Sequence, residues 1–210
     1  DDARMCVTLM RTATDLGAVI VNYAEVTELL HDEDGHVCGV GFKDVESDDR
    51  VEVRGDVVVN AAGVFSNSVR RMDDPEAESV VEPSRGVHLV LDQSFLAGDT
   101  AIMVPHTDDG RILFVIPWHE RCLVGTTDEH APEPVLEPRA TDEEVEFILR
   151  NAARYLQRDP TWDDVLSVFA GLRPLVRHEG QATKKISREH EVLVSPSGLV
   201  SIVGGKWTTY

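Results

Sequence analysis

The apolar positions change period several times along the chain, and those changes mark out its elements. Between residues 3 and 16 they fall at Met5, Cys6, Leu9, Met10, Ala13 and Leu16, the spacing of one helical face, with Gly17 as the C-terminal stop. Residues 18–21 read as a short buried strand. Two alternating runs, 25–30 and 36–42, flank Asp32-Glu33-Asp34-Gly35, a hairpin signal, and a turn at Asp48-Asp49 leads to a third strand at 51–54. Asp56-Val-Val-Val-Asn-Ala-Ala-Gly63 then reads as a fully buried strand ending in a glycine turn. Helix, strand, three-stranded meander and buried strand in this order predict the middle of a mixed α/β domain.

From Pro83 the pattern becomes β-rich. Runs at 86–92, 101–105, 111–118 and 122–127, separated by turns such as Thr107-Asp-Asp-Gly110, predict an antiparallel sheet. A loop with Pro132, Pro134 and Pro138 precedes a helix predicted over 142–157. Thr141 is its N-cap and Glu144 completes a capping box. Val145, Ile148, Leu149, Ala152 and Leu156 form its buried stripe, and Arg150, Arg154 and Arg158 suit its C-terminal dipole. Strands resume at 165–172, 184–188 and 192–195, and Pro196-Ser197-Gly198 turns into an apolar run, 199–203, that stops at Gly204-Gly205. The predicted class is therefore α+β with an α/β part. Residues 1–79 belong to a Rossmann-like domain, 80–194 form an antiparallel-sheet domain with helices on one face, and 195–210 return to the first domain.

Composition narrows the function classes. The 210 residues are 42% hydrophobic, so the chain folds around a core, and no apolar run approaches the roughly 20 residues of a membrane-spanning helix. With 38 acidic and 20 basic residues the net charge is −18, which excludes nonspecific nucleic-acid binding and adhesion to anionic lipid through a basic patch. Four of the basic residues are lysines, so arginine is the preferred cation. Cys6, Cys38 and Cys122 are far apart and read as buried apolar thiols in a reducing compartment. His119 and His130 flank Asp128 without metal-ligand spacing, so no metal site is expected.

Three places could carry chemistry. The terminal Gly204-Gly-Lys-Trp-Thr-Thr-Tyr210 follows a buried strand and opens a helix; its amides and Lys206 suit an electron-rich ligand, although an ordinary tight turn with a solvated lysine has the same pattern. Arg173, inside an apolar run, and Arg188, in Lys185-Ile-Ser-Arg188, would together bind a phosphate or carboxylate; surface pairing with the abundant carboxylates is the alternative. His88 lies at the start of a strand that buries Leu89 and Leu91, where a base or a satisfied core histidine both fit. Gly39-Val-Gly41 sits in a meander strand and reads as structural. Ser66, Ser68 and Ser201 lack a nucleophile-elbow context.

Several motifs in order resemble the FAD-dependent glycerol-3-phosphate dehydrogenase family, of the D-amino-acid-oxidase-like fold. They are Asp2-Ala-Arg4, Val59-Asn-Ala-Ala-Gly63, Gly86-Val-His88, Phe114-Val-Ile-Pro-Trp118, Gly125-Thr-Thr-Asp128, Gly171-Leu-Arg-Pro174, Ile186-Ser-Arg188 and Gly204-Gly-Lys-Trp-Thr-Thr-Tyr210. The resemblance implies that FAD binds in the first domain and that sn-glycerol 3-phosphate lies over the flavin, on the antiparallel sheet. Arg173 and Arg188 are then substrate-binding residues. His88 is a catalytic base or hydroxyl-orienting group, and Lys206 a catalytic and substrate-facing cation. Gly63, Gly204, Gly205, Lys206, Trp207 and Thr208 line the cofactor. Electrons would pass to a quinone, with the parent protein cytoplasmic or peripheral on the inner face of the cytoplasmic membrane; an oxidase using oxygen and a non-catalytic anion-binding module are the alternatives. Arg85 stands where the family often has lysine. The family's strand–GxGxxG–helix is absent from these residues, so the resemblance implies an internal piece of a longer enzyme, colourless and inactive by itself.

Overall fold

The computed structural model describes residues 2–96, 98–177 and 190–205. They divide into two units, one built from residues 2–81, 176–177 and 190–205, the other from 82–96 and 98–175.

The first unit opens with helix α1 (Asp2–Asp15), stopped as expected by Gly17 at φ 98°. None of its residues is buried, and Leu9 and Met10 on its apolar face are each 37% exposed. The expected strand at 18–21 does not form: among the described residues nothing pairs with it, and Val19 is 89% exposed. The meander is present. Strands β1 (Ala24–His31), β2 (Val37–Asp44) and β3 (Arg50–Arg54) pair antiparallel in sequence order. Gly39 is needed there for close approach, because a Cβ would overlap Val53 O and lie 3.1 Å from Arg54 Cα; the Gly39-Val-Gly41 pattern is structural.

The long buried strand expected over 56–63 shrinks to β4 (Val59–Asn60), with Val57 and Val59 64% and 57% exposed. Its ladder reaches only Val200↔Val59 and Ser201↔Asn60, the parallel pairing with β12 (Val200–Gly204). Strand β11 (His190–Val194) pairs antiparallel with β12, so it lies in this unit and not in the sheet domain where the sequence pattern put it. A helix not anticipated, α2 (Ser66–Asp73), follows a 3₁₀ turn at Gly63–Phe65; its apolar face is the single i, i+3 pair Val69 and Met72, too short to mark a helix in the sequence. Two small cores hold the unit: Leu29, Val37 and Leu199, and Val81, Val176 and Val203.

A buried polar staple ties three of these elements. The Asp73 carboxylate, 5% exposed, accepts hydrogen bonds from His31 Nε2 (3.1 Å), Ser195 Oγ (2.8 Å) and Ser197 Oγ (2.7 Å). Burial raises its pKa, but the bonds from Ser197, His31 and Ser195 outweigh that and hold it below the ordinary carboxylate value.

The second unit is a six-stranded sheet under one helix. Strands β5 (Val81–Asp92), β6 (Ile102–Val104), β7 (Leu113–Trp118), β8 (Arg121–Gly125) and β10 (Ser167–Val176) lie in the order β10-β5-β8-β7-β6, and the short β9 (Glu129–His130) pairs with β5. The alternation is clean. Val87, Leu89, Leu91, Leu113, Val115, Cys122 and Val124 are buried against Val145, Ile148, Leu149 and Ala152 of helix α3 (Asp142–Ala153). Burying each larger apolar side chain stabilises the unit by about 1.5–3 kcal/mol. The capping box forms as predicted, with Thr141 Oγ1 accepting from Glu144 N–H and Glu144 reaching back to Thr141 N–H. The cysteines differ from expectation: Cys122 is buried, Cys38 half-buried and Cys6 exposed. Burial pushes the Cys122 thiol up to about 11.

Candidate functional site

Because strand side chains alternate, the residues between the buried positions of β5, β7 and β8 share the face opposite α3. His88, Gly125 and Phe114 form one cross-strand row on it, through the pairs His88↔Gly125 and Phe114↔Gly125. Gly125 has no side chain, and the His88 ring occupies the space: a Cβ there would lie 2.8 Å from His88 Cγ. The ring stacks on Phe169 of β10, with centroids 5.1 Å apart and planes at 8°.

Arg173, four residues along β10, rests on Gly86 in the same manner. A Cβ on Gly86 would lie 2.6 Å from Arg173 Nη1 and 2.7 Å from Cζ. The guanidinium donates to Thr127 O (3.1 Å) and Thr126 Oγ1 (3.0 Å), and Asp128 Oδ1 lies 3.6 Å from Nη1. Ser84 Oγ in turn donates to Asp128. The two candidate side chains thus contact adjacent residues, His88 covering Gly125 and Arg173 donating to Thr126. The interior position of Arg173 is met by these partners, as a half-buried guanidinium requires.

Below this face, Thr127 Oγ1 accepts from Val87 N–H (3.0 Å) and donates to Glu144 Oε1 (2.9 Å). Glu144 also pairs with Arg85 at 2.9 Å. Arg85 is therefore committed to a buried carboxylate.

In the first unit the parallel strands β4 and β12 both run out into glycine turns. Gly63 and Gly204 each lie three residues beyond the paired Asn60 and Ser201, at φ 57° and 75°. Gly205 follows at φ 86°. Among the described residues, a Cβ on Gly63 would meet nothing within 4 Å, and one on Gly205 only His190 Cβ at 3.8 Å. Asn60 shapes the first turn, donating to Ser66 O (3.0 Å) and Ser201 Oγ (3.3 Å) and accepting from Ala62 N–H (3.3 Å). Open glycine turns at the carboxyl ends of parallel strands fit a flat, electron-rich group at the backbone.

The expected site residues thus fall into two places: His88 and Arg173 on the open sheet face, and Gly63, Gly204 and Gly205 at the strand ends. Arg188, Lys206, Trp207 and Thr208 lie outside the described residues. Among the described residues no group of histidine, cysteine and acidic side chains has the arrangement of a metal site. Sequence reasoning missed the seats, Gly86 and Gly125, and the anchors, Thr126, Thr127 and Phe169. The available signal was a glycine beside each functional side chain, Gly125 paired with His88 and Gly86 under the Arg173 guanidinium. It becomes readable only once the strand pairing is known.

The family model for FAD dependent oxidoreductases matches residues 1–210, the whole chain. The chain belongs to the FAD-dependent oxidoreductase family. Two relatives of this FAD-dependent oxidoreductase are the probable mitochondrial glycerol-3-phosphate dehydrogenase of Caenorhabditis elegans and the mitochondrial glycerol-3-phosphate dehydrogenase of Homo sapiens. Each is 41% identical over 100% of the chain. The chain spans 30% of the length of both relatives. A crystal structure of glycerol-3-phosphate dehydrogenase from Bacillus halodurans, complexed with FAD, superimposes with a TM-score of 0.87 at 39% identity. That match covers 100% of this chain and 40% of the other. The open sheet face and the glycine turns described above are thus features of an FAD-dependent oxidoreductase fold.

Proposed function

We propose that the whole protein oxidises the C2 hydroxyl of sn-glycerol 3-phosphate to the ketone of dihydroxyacetone phosphate, with FAD as the hydride acceptor. The observation that carries this reading is that Arg173 and His88 share one sheet face and contact adjacent residues, Thr126 and Gly125. An anion-binding fork and a proton acceptor on one face are what a phosphorylated alcohol substrate needs. The names of the relatives at about 40% identity support the substrate.

In this reading Arg173, together with Arg188, binds the substrate phosphate. His88 accepts the proton of the C2 hydroxyl as the C2 hydride departs, and the stack on Phe169 fixes the plane of its imidazole. When bound, FAD supplies the two-electron redox chemistry, and Gly63, Gly204 and Gly205, with Lys206, Trp207 and Thr208, are the residues assigned to hold it. The electrons go on to a quinone, reached by peripheral association with the cytoplasmic face of a membrane. No helix among the described residues is long and apolar enough to cross one.

The test is steady-state kinetics of the whole protein with glycerol 3-phosphate. Arg173→Ala should raise KM by at least about tenfold, the loss of a charge-assisted hydrogen bond. An unchanged KM would remove the phosphate assignment. Release of peroxide in proportion to turnover would replace the quinone by oxygen.

A further inference from the structure

Glu144 does more than its capping box requires. The box needs one bond, from Thr141 N–H to Glu144 Oε2, at 3.0 Å. The same carboxylate, in a residue only 4% exposed, also receives Thr127 Oγ1–H and pairs with Arg85. These two contacts lead away from the helix and into the sheet.

What they reach is the seat of Arg173. The Thr127 hydroxyl is held from both sides, accepting from Val87 N–H and donating to Glu144, which fixes the side-chain rotamer and the peptide that follows. The carbonyl of that peptide accepts from Arg173 Nη1. A guanidinium on a flexible stem binds an anion well only when it is held in place beforehand. A buried carboxylate in turn needs a cation, and Arg85 meets that need.

We infer that Glu144 is a positioning residue for Arg173, acting through Thr127, with Arg85 as its counter-ion and not as an anion ligand. The inference rests on the assignment of Arg173 to the substrate phosphate made above. It makes the first turn of α3 part of the anion site, although no residue of that turn faces the open side of the sheet.

The experiment compares Glu144→Gln, Thr127→Val, Thr127→Ser and Thr141→Ala with Arg173→Ala in the whole protein, reading KM, kcat and Tm. Glu144→Gln and Thr127→Val should raise KM for glycerol 3-phosphate about tenfold while kcat stays within about twofold. Thr127→Ser keeps the hydroxyl and should restore the wild-type KM. Thr141→Ala removes the helix cap but leaves the backbone N–H that holds Glu144; it should lower Tm without moving KM. The inference fails if KM stays at the wild-type value in Glu144→Gln and Thr127→Val while Arg173→Ala raises it. It also fails if Thr141→Ala raises KM as much as Glu144→Gln does. Should Glu144→Gln not fold, the Thr127 pair decides alone. An unchanged KM in Arg173→Ala overturns the phosphate assignment, and the inference with it.

Discussion

The imidazole of His88 lies parallel to the Phe169 ring, 8° apart in plane and 5.1 Å apart in centroid, and also covers Gly125 on the neighbouring strand. The ring is held by its surroundings on two different strands, so its orientation depends on residues that carry no reactive group.

Replacing Gly125 by alanine should therefore act on His88. The added Cβ would lie 2.8 Å from His88 Cγ and 2.9 Å from Val87 O, and of these only the ring is able to turn away. If His88 accepts the substrate proton, kcat of the whole protein should fall by at least about tenfold. A wild-type kcat in Gly125→Ala would contradict that role.

Gly86→Ala is the gentler counterpart. The Cβ meets the far end of a flexible side chain, the Arg173 guanidinium at 2.6 Å, so the backbone has no need to move. Thermal unfolding should change by less than about 1 kcal/mol, because the guanidinium swings aside. If Arg173 binds the substrate phosphate, KM for glycerol 3-phosphate should nevertheless rise severalfold. A large loss of stability with unaltered KM would show that Gly86 serves packing alone.

The Asp73 staple makes a pH-dependent contribution of known sign. Its folded pKa is lowered, so the stabilisation is fully present above the ordinary carboxylate range and is lost as pH falls through the folded value. Asp73→Asn should cost about 1–3 kcal/mol at neutral pH. The gap in Tm between wild type and Asp73→Asn should narrow as pH falls below about 4. A gap that widens below about pH 4 would reverse the assignment.

The cysteines should differ sharply in reactivity. Cys122 is buried with its thiol pushed up to about 11, whereas Cys6 is exposed on α1. Native-state alkylation with iodoacetamide, followed by peptide mass spectrometry, should label Cys6 first and leave Cys122 unmodified until unfolding. Labelling of Cys122 at the rate of Cys6 would mean that the sheet opens locally.

Elements with a strong period were legible in the sequence. The meander, the strand alternation of the second unit and the Thr141–Glu144 box could be read because each residue's role there is decided within a few neighbours along the chain. Helix α2 was invisible because its apolar face consists of a single i, i+3 pair, Val69 and Met72, too short a pattern to mark a helix, and residues 18–21 were misread because an apolar run does not say whether a partner strand exists. The same division runs through the site. Arg173 and His88 stood out by residue type, while Thr127 and Glu144, 17 positions apart, meet only across the sheet and helix. Glu144 was recognised as a cap and not as an anchor, since local sequence expresses only its local bond.

If Arg173 binds the substrate phosphate as proposed, Asp128 gives that site a resting state. At 3.6 Å from Arg173 Nη1 and tethered by Ser84, it already offers the guanidinium a negative partner. An incoming anion would then exchange with a carboxylate of the protein instead of meeting a bare cation. A singly charged ion such as chloride gains little from that exchange, whereas a phosphate ester brings more charge and several oxygens to the fork. The protein would then sort its ligands by charge density before shape enters.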